Sequence, residues 1–284
     1  MATLKELRRR IHSVDNIKQI TKSMEMIAAA RFQKAHAKAI HTSQFVLQLQ
    51  QIVGRLIATN TEPNYPLFRP GKAERIAVIV IGTDRGLCGA YNNNIFSTVE
   101  AFLKDHSPND VDLIVFGRKA IDHFKRKKWP VINAIPDWGG KIELPVVDTL
   151  SKFLIDKFLH GQYKSIWLIY TQHLTIFSRK VMTEQLLPIT LVPEKNVLQN
   201  RDYIFEPDIE ELLVKLLPHY ILGEIHNILN QAYASELAAR VCAMRAATKN
   251  AQDLKEKLVL ERNKQRQTSI TKEVLEIASA AEAL

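Results

Sequence analysis

The residues best placed to do chemistry stand together in one loop, Gly82-Thr83-Asp84-Arg85-Gly86-Leu87-Cys88-Gly89. The loop follows an apolar run and precedes a helix expected from about Asn92 to His106. That is the setting in which helix N-terminal amides cradle a phosphate. The spacing resists this reading, because the glycines stand four and three apart rather than as GxGxxG, and no Gly-Lys-Ser/Thr follows. A tight turn in which Asp84 and Arg85 make local or interface contacts is the competing reading, and a nucleotide-dependent α/β enzyme stays open as an alternative. The nine His residues are scattered without an HExxH pair. Ser and Cys occur without a GxSxG elbow. Glu210 and Glu211 read as a solvated helix face. Cys88 and Cys242 are far apart and without metal-ligand spacing, so they read as free thiols of a reducing compartment. No catalytic constellation, metal site or cofactor is expected.

The elements that must position these residues are marked by Gly and Pro, the strongest local breakers of helices. All 10 Gly and all 11 Pro fall between Gly54 and Gly223 of the 284 residues. Residues 1–53 and 224–284 therefore read as two long helical arms around a compact middle. In the first arm Leu4, Leu7, Ile11 and Val14 recur at the spacing of a coiled-coil seam. The seam is expected to continue through Ile17, Thr21, Met24 and Ala28 before turning Ala-rich, and it broadens at Phe45, Val46, Leu49, Ile52 and Val53. The second arm opens with Ile225, Ile228 and Leu229 and runs through seven Ala between Ala232 and Ala247. Leu254 and Leu258 follow, then polar residues 261–267, then Ile270, Val274, Ile277 and the small residues Ala278–Ala281. Neither seam is a clean heptad over four repeats, so two amphipathic helices of an ordinary bundle remain the alternative to a coiled coil. The matching Ala-rich zones favour antiparallel pairing, because a compact middle returns the chain close to its start.

The middle alternates buried strands and helices. Strands are expected at residues 75–81, 111–116, 166–170, 181–187 and 203–205, and helices at 92–106, 118–127 and 150–159. Residues 129–145, rich in Pro and Gly, read as loop. The alternation implies an α/β layer with a largely parallel sheet.

The net charge of +9 is uneven. Residues 1–53 carry nine Lys/Arg against three Asp/Glu, a net +6, whereas residues 224–284 carry nine against eight. The first arm is a basic rod whose partner should be acidic. A nucleic-acid-binding arm is one such alternative, but no aromatic interleaving supports it. The longest apolar run, Ile76–Ile81, is too short to cross a membrane. The N-terminus lacks the apolar core of a signal peptide. Glu6, Asp15 and Glu25 argue against a transit peptide despite Arg8-Arg9-Arg10.

Five strings then carry a resemblance along nearly the whole chain: residues 20–26 (ITKSMEM), 84–92 (DRGLCGAYN), 202–207 (DYIFEP), 235–251 (SELAAR, AM and AATKNA), and 266–273 (RQTSITKE). In that order they resemble the gamma subunit of F-type ATP synthases, of bacterial type. The resemblance implies a long antiparallel coiled coil of the terminal helices, residues 1–58 and 208–284, with a Rossmann-like α/β domain at 72–206. It implies a non-catalytic rotor shaft, one copy per complex, peripheral to the cell inner membrane on its cytoplasmic side. Its implied partners are the alpha and beta subunits, the epsilon subunit and the c-subunit ring, with no nucleic acid. Lys22, Met24, Arg266, Gln267, Thr271 and Glu273 would meet the alpha and beta subunits. Tyr203, Phe205 and Glu206 would meet the c ring, and Asp84 and Arg85 would lie at an interface. The chain departs from the family at Ala280, where Gly is usual, and it lacks the paired Cys of the chloroplast form, so no thiol switch is expected.

Overall fold

The computed structural model describes residues 3–59, 65–139, 143–176, 178–190 and 208–282. Its elements are α1 (Leu4–Thr59), β1 (Ile76–Ile81), α2 (Tyr91–Leu103), β2 (Val111–Phe116), α3 (Arg118–Arg126), β3 (Val131–Ile135), α4 (Leu144–Leu159), β4 (Ser165–His173), β5 (Arg179–Leu187) and α5 (Ile209–Glu282). They fall into two compact units, Ala30–Ala239 and Met1–Ala29 with Arg240–Leu284.

In the larger unit the five strands lie in the order β3-β2-β1-β4-β5. The first four are mutually parallel, and β5 closes one edge antiparallel to β4. The order and the parallel core match the Rossmann-like expectation. Every residue of β1 and β2 is buried, as a strand covered on both faces requires. Alternation sorts their side chains. Ile76, Val78 and Val80 pack with Ile95, Val99 and Phe124 of α2 and α3. Ala77, Ile79 and Ile81 pack with Leu150 and Leu154 of α4, Leu49 and Val53 of α1, and Leu217 and Ile221 of α5. Within this unit α1 and α5 run antiparallel. Phe32, Ala35 and Ala39 pack on Ala234, Leu237 and Ala238, and Ser43 donates to Asn227 Oδ1 at 2.8 Å. The small residues on both helices allow this close packing, as the Ala-rich zones suggested.

Three expectations are corrected. Residues 129–145 are not all loop: they hold the edge strand β3, and α4 begins at Leu144 rather than Leu150. Pro130 and Pro136 flank β3, and Pro145 sits in the first turn of α4, where its missing N–H costs nothing. The second arm does not start after Gly223, where the Gly and Pro pattern put it: α5 runs through both Pro218 and Gly223 and starts at Ile209, next to the residue 208 that the resemblance implied. A Cβ at Gly223 would come within 3.3 Å of Val46 Cγ2, so the glycine serves close helix packing. Leu213, Leu217, Tyr220 and Ile221 are buried around Pro218, and this burial offsets the local cost of proline, about 3 kcal/mol. The expected strand at 203–205 lies outside the described residues.

The third correction concerns the seam of the smaller unit. On α1 the inward positions are Leu7, Ile11, Val14, Lys18, Thr21, Glu25 and Ala28, with alternating spacings of four and three. On α5 they are Val241, Met244, Thr248, Ala251, Lys255, Leu258 and Arg262, again strictly alternating. The 3.5-residue repeat is therefore cleaner than its apolar residues suggest. Ile17 and Met24, expected in the seam, are exposed, and so is Leu254. Polar residues hold the inward places instead. Thr248 donates to Thr21 across the pair at 2.9 Å, and Lys255 Nζ meets Asp15 at 2.7 Å. Arg245 Nε reaches Glu25 at 3.0 Å. As numbers fall on α1 they rise on α5, so the helices are antiparallel here too.

Candidate functional site

The loop after β1 is closed on itself. Asp84 Oδ1 accepts the amides of Arg118 at 3.0 Å and Asp137 at 2.8 Å, and Oδ2 accepts the amide of Gly139 at 3.0 Å. Arg118 is the first residue of α3, so Asp84 supplies the negative charge that a helix N-terminus attracts. The Arg118 side chain pairs in turn with the Asp137 carboxylate. Thr83 Oγ1 donates to the Arg85 carbonyl and accepts from Asn92 Nδ2, both at 2.7 Å. Trp138 Nε1 donates to the Gly82 carbonyl at 3.2 Å. Asp84 thus makes the local contacts of the tight-turn reading; one of its three amide partners, Arg118, opens α3, whereas the phosphate reading concerned the start of α2. Arg85 and Leu87 point outward.

Among the described residues no group of three or more His, Cys, Asp or Glu is arranged to hold a metal ion. Two adjoining hollows of about 410 and 250 Å³ lie between α1, α5 and the β4–β5 end of the sheet. Gln50, Glu184, Glu224 and Ile228 line both. Burial pushes both carboxyls above the usual carboxylate range, against the opposing hydrogen bonds from Tyr170 to Glu184 and from Tyr220 and Gln50 to Glu224. A carboxyl raised in this way contributes stability that is fully present below its unfolded pKa and is lost as pH rises through its folded value. Glu224→Gln, which keeps an acceptor for Tyr220 and Gln50, should match the wild type in acid. It should be the more stable of the two at neutral pH and above. Urea unfolding at pH 4 and pH 8 checks this, and an equal difference at both values would contradict it.

The residues expected at a partner interface fall in two places. Lys22 and Met24 stand on the outer side of α1, and Lys22 Nζ reaches back to Glu25 Oε2 at 3.1 Å. Ile17, Ile20, Met24 and Ile27 form an exposed apolar stripe there. Arg266, Gln267, Thr271 and Glu273 are all exposed near the end of α5. Thr271 Oγ1 donates to the Gln267 carbonyl at 2.9 Å, and Ser269 Oγ donates to Glu273 at 3.2 Å. Lys22 is level with about Thr248, so the two groups lie about 27 Å apart along the axis at 1.5 Å per residue. The structure therefore gathers the four α5 residues and keeps them separate from Lys22 and Met24. Tyr203, Phe205 and Glu206 lie outside the described residues.

Continuing residue for residue from the Asp15–Lys255 pair, the start of α1 at Leu4 is level with about residue 266 of α5. Past Ser269 every α5 side chain described is exposed, including Ile270, Val274, Leu275 and Ile277. Lone helices of this length are marginal in water, and contiguous exposed apolar side chains mark interaction surfaces.

Comparison with known proteins agrees with the resemblance. The family profile described as ATP synthase matches residues 3–284. The ATP synthase gamma chain of Protochlamydia amoebophila is 41% identical over 284 residues, covering all of both chains. The chain belongs to the ATP synthase gamma chain family. Another relative, the ATP synthase gamma chain of Pelotomaculum thermopropionicum, is 34% identical over 284 residues, again covering all of both chains. Among solved structures, the rotor of the Euglena gracilis mitochondrial ATP synthase has a similar fold. Its TM-score is 0.66 at 18% identity, and the match covers 94% of this chain and 98% of that one. As a member of this family the chain is a subunit of a membrane-associated complex, and no described helix is long and apolar enough to cross a membrane.

The inward Glu25 and its α5 partner Arg245, the Trp138 contact and the Glu184–Glu224 pair were missed from sequence. Only the first left a signal, since the four-three spacing of α1 continues if Lys18 and Glu25 are admitted as inward residues.

Proposed function

We propose that this chain is the central rotor shaft of an F-type ATP synthase. It couples ion-driven rotation of a c ring to conformational change in the catalytic beta subunits, with one copy per complex. The observation that carries the reading is the end of α5, a single helix beyond its partner with exposed apolar side chains. Such a tip suits a collar formed by alpha and beta subunits. The exposed Ile17–Ile27 stripe and the basic first arm suit a second contact with the same head. In this role the subunit makes and breaks no bonds. It biases the beta sites through contacts that differ from one beta to the next. The α/β unit would carry the epsilon subunit and stand on the c ring, with Tyr203, Phe205 and Glu206 at its foot. The complex would lie on the cytoplasmic side of the cell inner membrane, this subunit peripheral to it.

A pull-down from native membranes with a tag on the α/β unit tests this. Alpha, beta and epsilon subunits recovered with ATPase activity support it, and the chain recovered alone or with nucleic acid refutes it. Arg266 is the residue whose guanidinium can fork two hydrogen bonds onto a beta-subunit carboxylate. Arg266→Ala should lower membrane ATP synthesis several-fold while changing the unfolding free energy of the isolated chain by less than about 0.5 kcal/mol. Equal synthesis rates in wild-type and variant membranes would contradict this assignment.

A further inference from the structure

Residues 14–28 of α1 carry two overlapping seams. One is the seam the structure uses, Val14, Lys18, Thr21, Glu25 and Ala28. The other is the more apolar Val14, Ile17, Thr21, Met24 and Ala28. Both have alternating three- and four-residue spacing, and they share three positions. At 100° per residue their mean directions differ by only about 40° of rotation about the helix axis. Apolar burial alone favours the second seam, because it would take Ile17 and Met24 out of water. The structure shows the first, with Ile17 at 53% and Met24 at 39% exposure and Glu25 at 7%.

Glu25 is what distinguishes the two. Its Oε1 accepts from Arg245 Nε on α5 at 3.0 Å, and its Oε2 accepts from Lys22 Nζ at 3.1 Å. The hydrogen bond from Arg245 leads in holding its carboxyl below the usual carboxylate range despite burial, and Lys22 assists. Glu25 is buried, but Arg245 reaches it from the exposed side of α5, so the pair adds little to stability; fixing register is the best-attested use of a polar group in a seam. We infer that the Glu25–Arg245 pair sets the rotation of α1 over residues 14–28 and so keeps the Ile17–Ile27 stripe facing outward. Lys255–Asp15, on the same side of the pairing, supports the same rotation. Glu25 is thus a positioning residue. Its consequence for coupling rests on the proposal that this stripe meets the catalytic head.

The test uses the full chain with Cys88 and Cys242 replaced by Ala and a reporter thiol introduced by Ile17→Cys. Its rate of reaction with a polar maleimide reads which way this face points. With Glu25 and Arg245 intact the thiol reacts at the rate of an exposed position. Adding Arg245→Ala or Glu25→Ala moves most molecules to the inward rotation. A shift of four-fifths of the population slows the reaction about fivefold. The exchanged pair, Glu25→Arg with Arg245→Glu, restores the rate. An unchanged rate, a rate that rises because the helices come apart, or an exchange that fails to restore it overturns the inference. A purely structural role would lower the melting temperature without slowing the reporter. In assembled membranes, without the reporter, the single variants pump fewer ions per ATP than the exchanged pair. Slowed labelling with unaltered pumping would leave the rotational role of Glu25 standing and remove the head contact instead.

Discussion

Gly117→Ala lowers the unfolding free energy of the α/β unit by about 4 kcal/mol or more, because positive-φ strain alone costs about 1–3 kcal/mol and a backbone clash adds to it. Gly117 follows β2 with φ +89° and ψ 133°, a conformation open to little but glycine. A Cβ there would stand 2.7 Å from the Thr83 carbonyl carbon and 2.8 Å from the Gly82 carbonyl carbon and oxygen. None of these is the end of a flexible side chain, so the strand ends themselves would have to part. Gly82 is the other half of the same approach: a Cβ on it would meet Ala120 Cβ at 2.6 Å. The hydrogen bonds from Gly82 N to Phe116 O at 3.0 Å and from Gly117 N to Ile135 O at 2.9 Å tie these strand ends together. Gly86, with open space around its Cα, is the control, and Gly86→Ala should change stability by less than about 0.5 kcal/mol. Urea denaturation of both variants decides the matter, and similar midpoints for the two would contradict the packing argument.

What was legible in the sequence follows from what repeats. β1 and β2 announce themselves as unbroken apolar runs because both faces of a central parallel strand are covered. The Ala-rich zones announce close helix pairing because only small residues permit it. β3 gave no such signal. It is an edge strand, Asn133 interrupts its apolar residues, and proline stands on either side. Its pairing with β2, rather than its own pattern, makes it a strand. Pro218 and Gly223 misplaced the start of α5 because tertiary burial overrides local propensity. The seam of α1 was read through Ile17 and Met24 because apolar spacing was given priority, whereas Glu25 takes an inward place through a partner on α5, 220 residues away in the chain. Asp84 was read as making local or interface contacts, and the local ones are present. Its three amide partners belong to segments 34 to 55 residues distant and could not be foreseen from the loop.

That loop depends on a residue the sequence did not single out. Trp138→Ala should destabilise the α/β unit by about 3–5 kcal/mol, the usual range for deleting a buried large aromatic. The ring is buried, edge-on to Phe116 at 6.1 Å and to Tyr233 of α5 at 6.0 Å, and its Nε1 donates to Gly82. Trp138→Phe keeps an aromatic ring between these neighbours and loses the hydrogen bond and part of the volume. It should therefore cost less, about 1–3 kcal/mol for the orphaned carbonyl and residual void. The alanine variant removes more than packing. Asp137 and Gly139 flank the ring, and their amides are two of the three that Asp84 accepts. Without the tryptophan that segment loses a buried apolar anchor over the strand ends, which loosens the partners that fix Asp84 and Arg118. If Arg85 and Leu87 present a preformed surface to another subunit, the loss of order is paid at assembly as well as at folding. Trp138→Phe should then assemble into the complex near the wild-type level, while Trp138→Ala assembles poorly even at temperatures where the isolated chain remains folded. Equal recovery of both variants with alpha and beta subunits in a tagged pull-down would mean that the rigidity of this loop serves the fold alone.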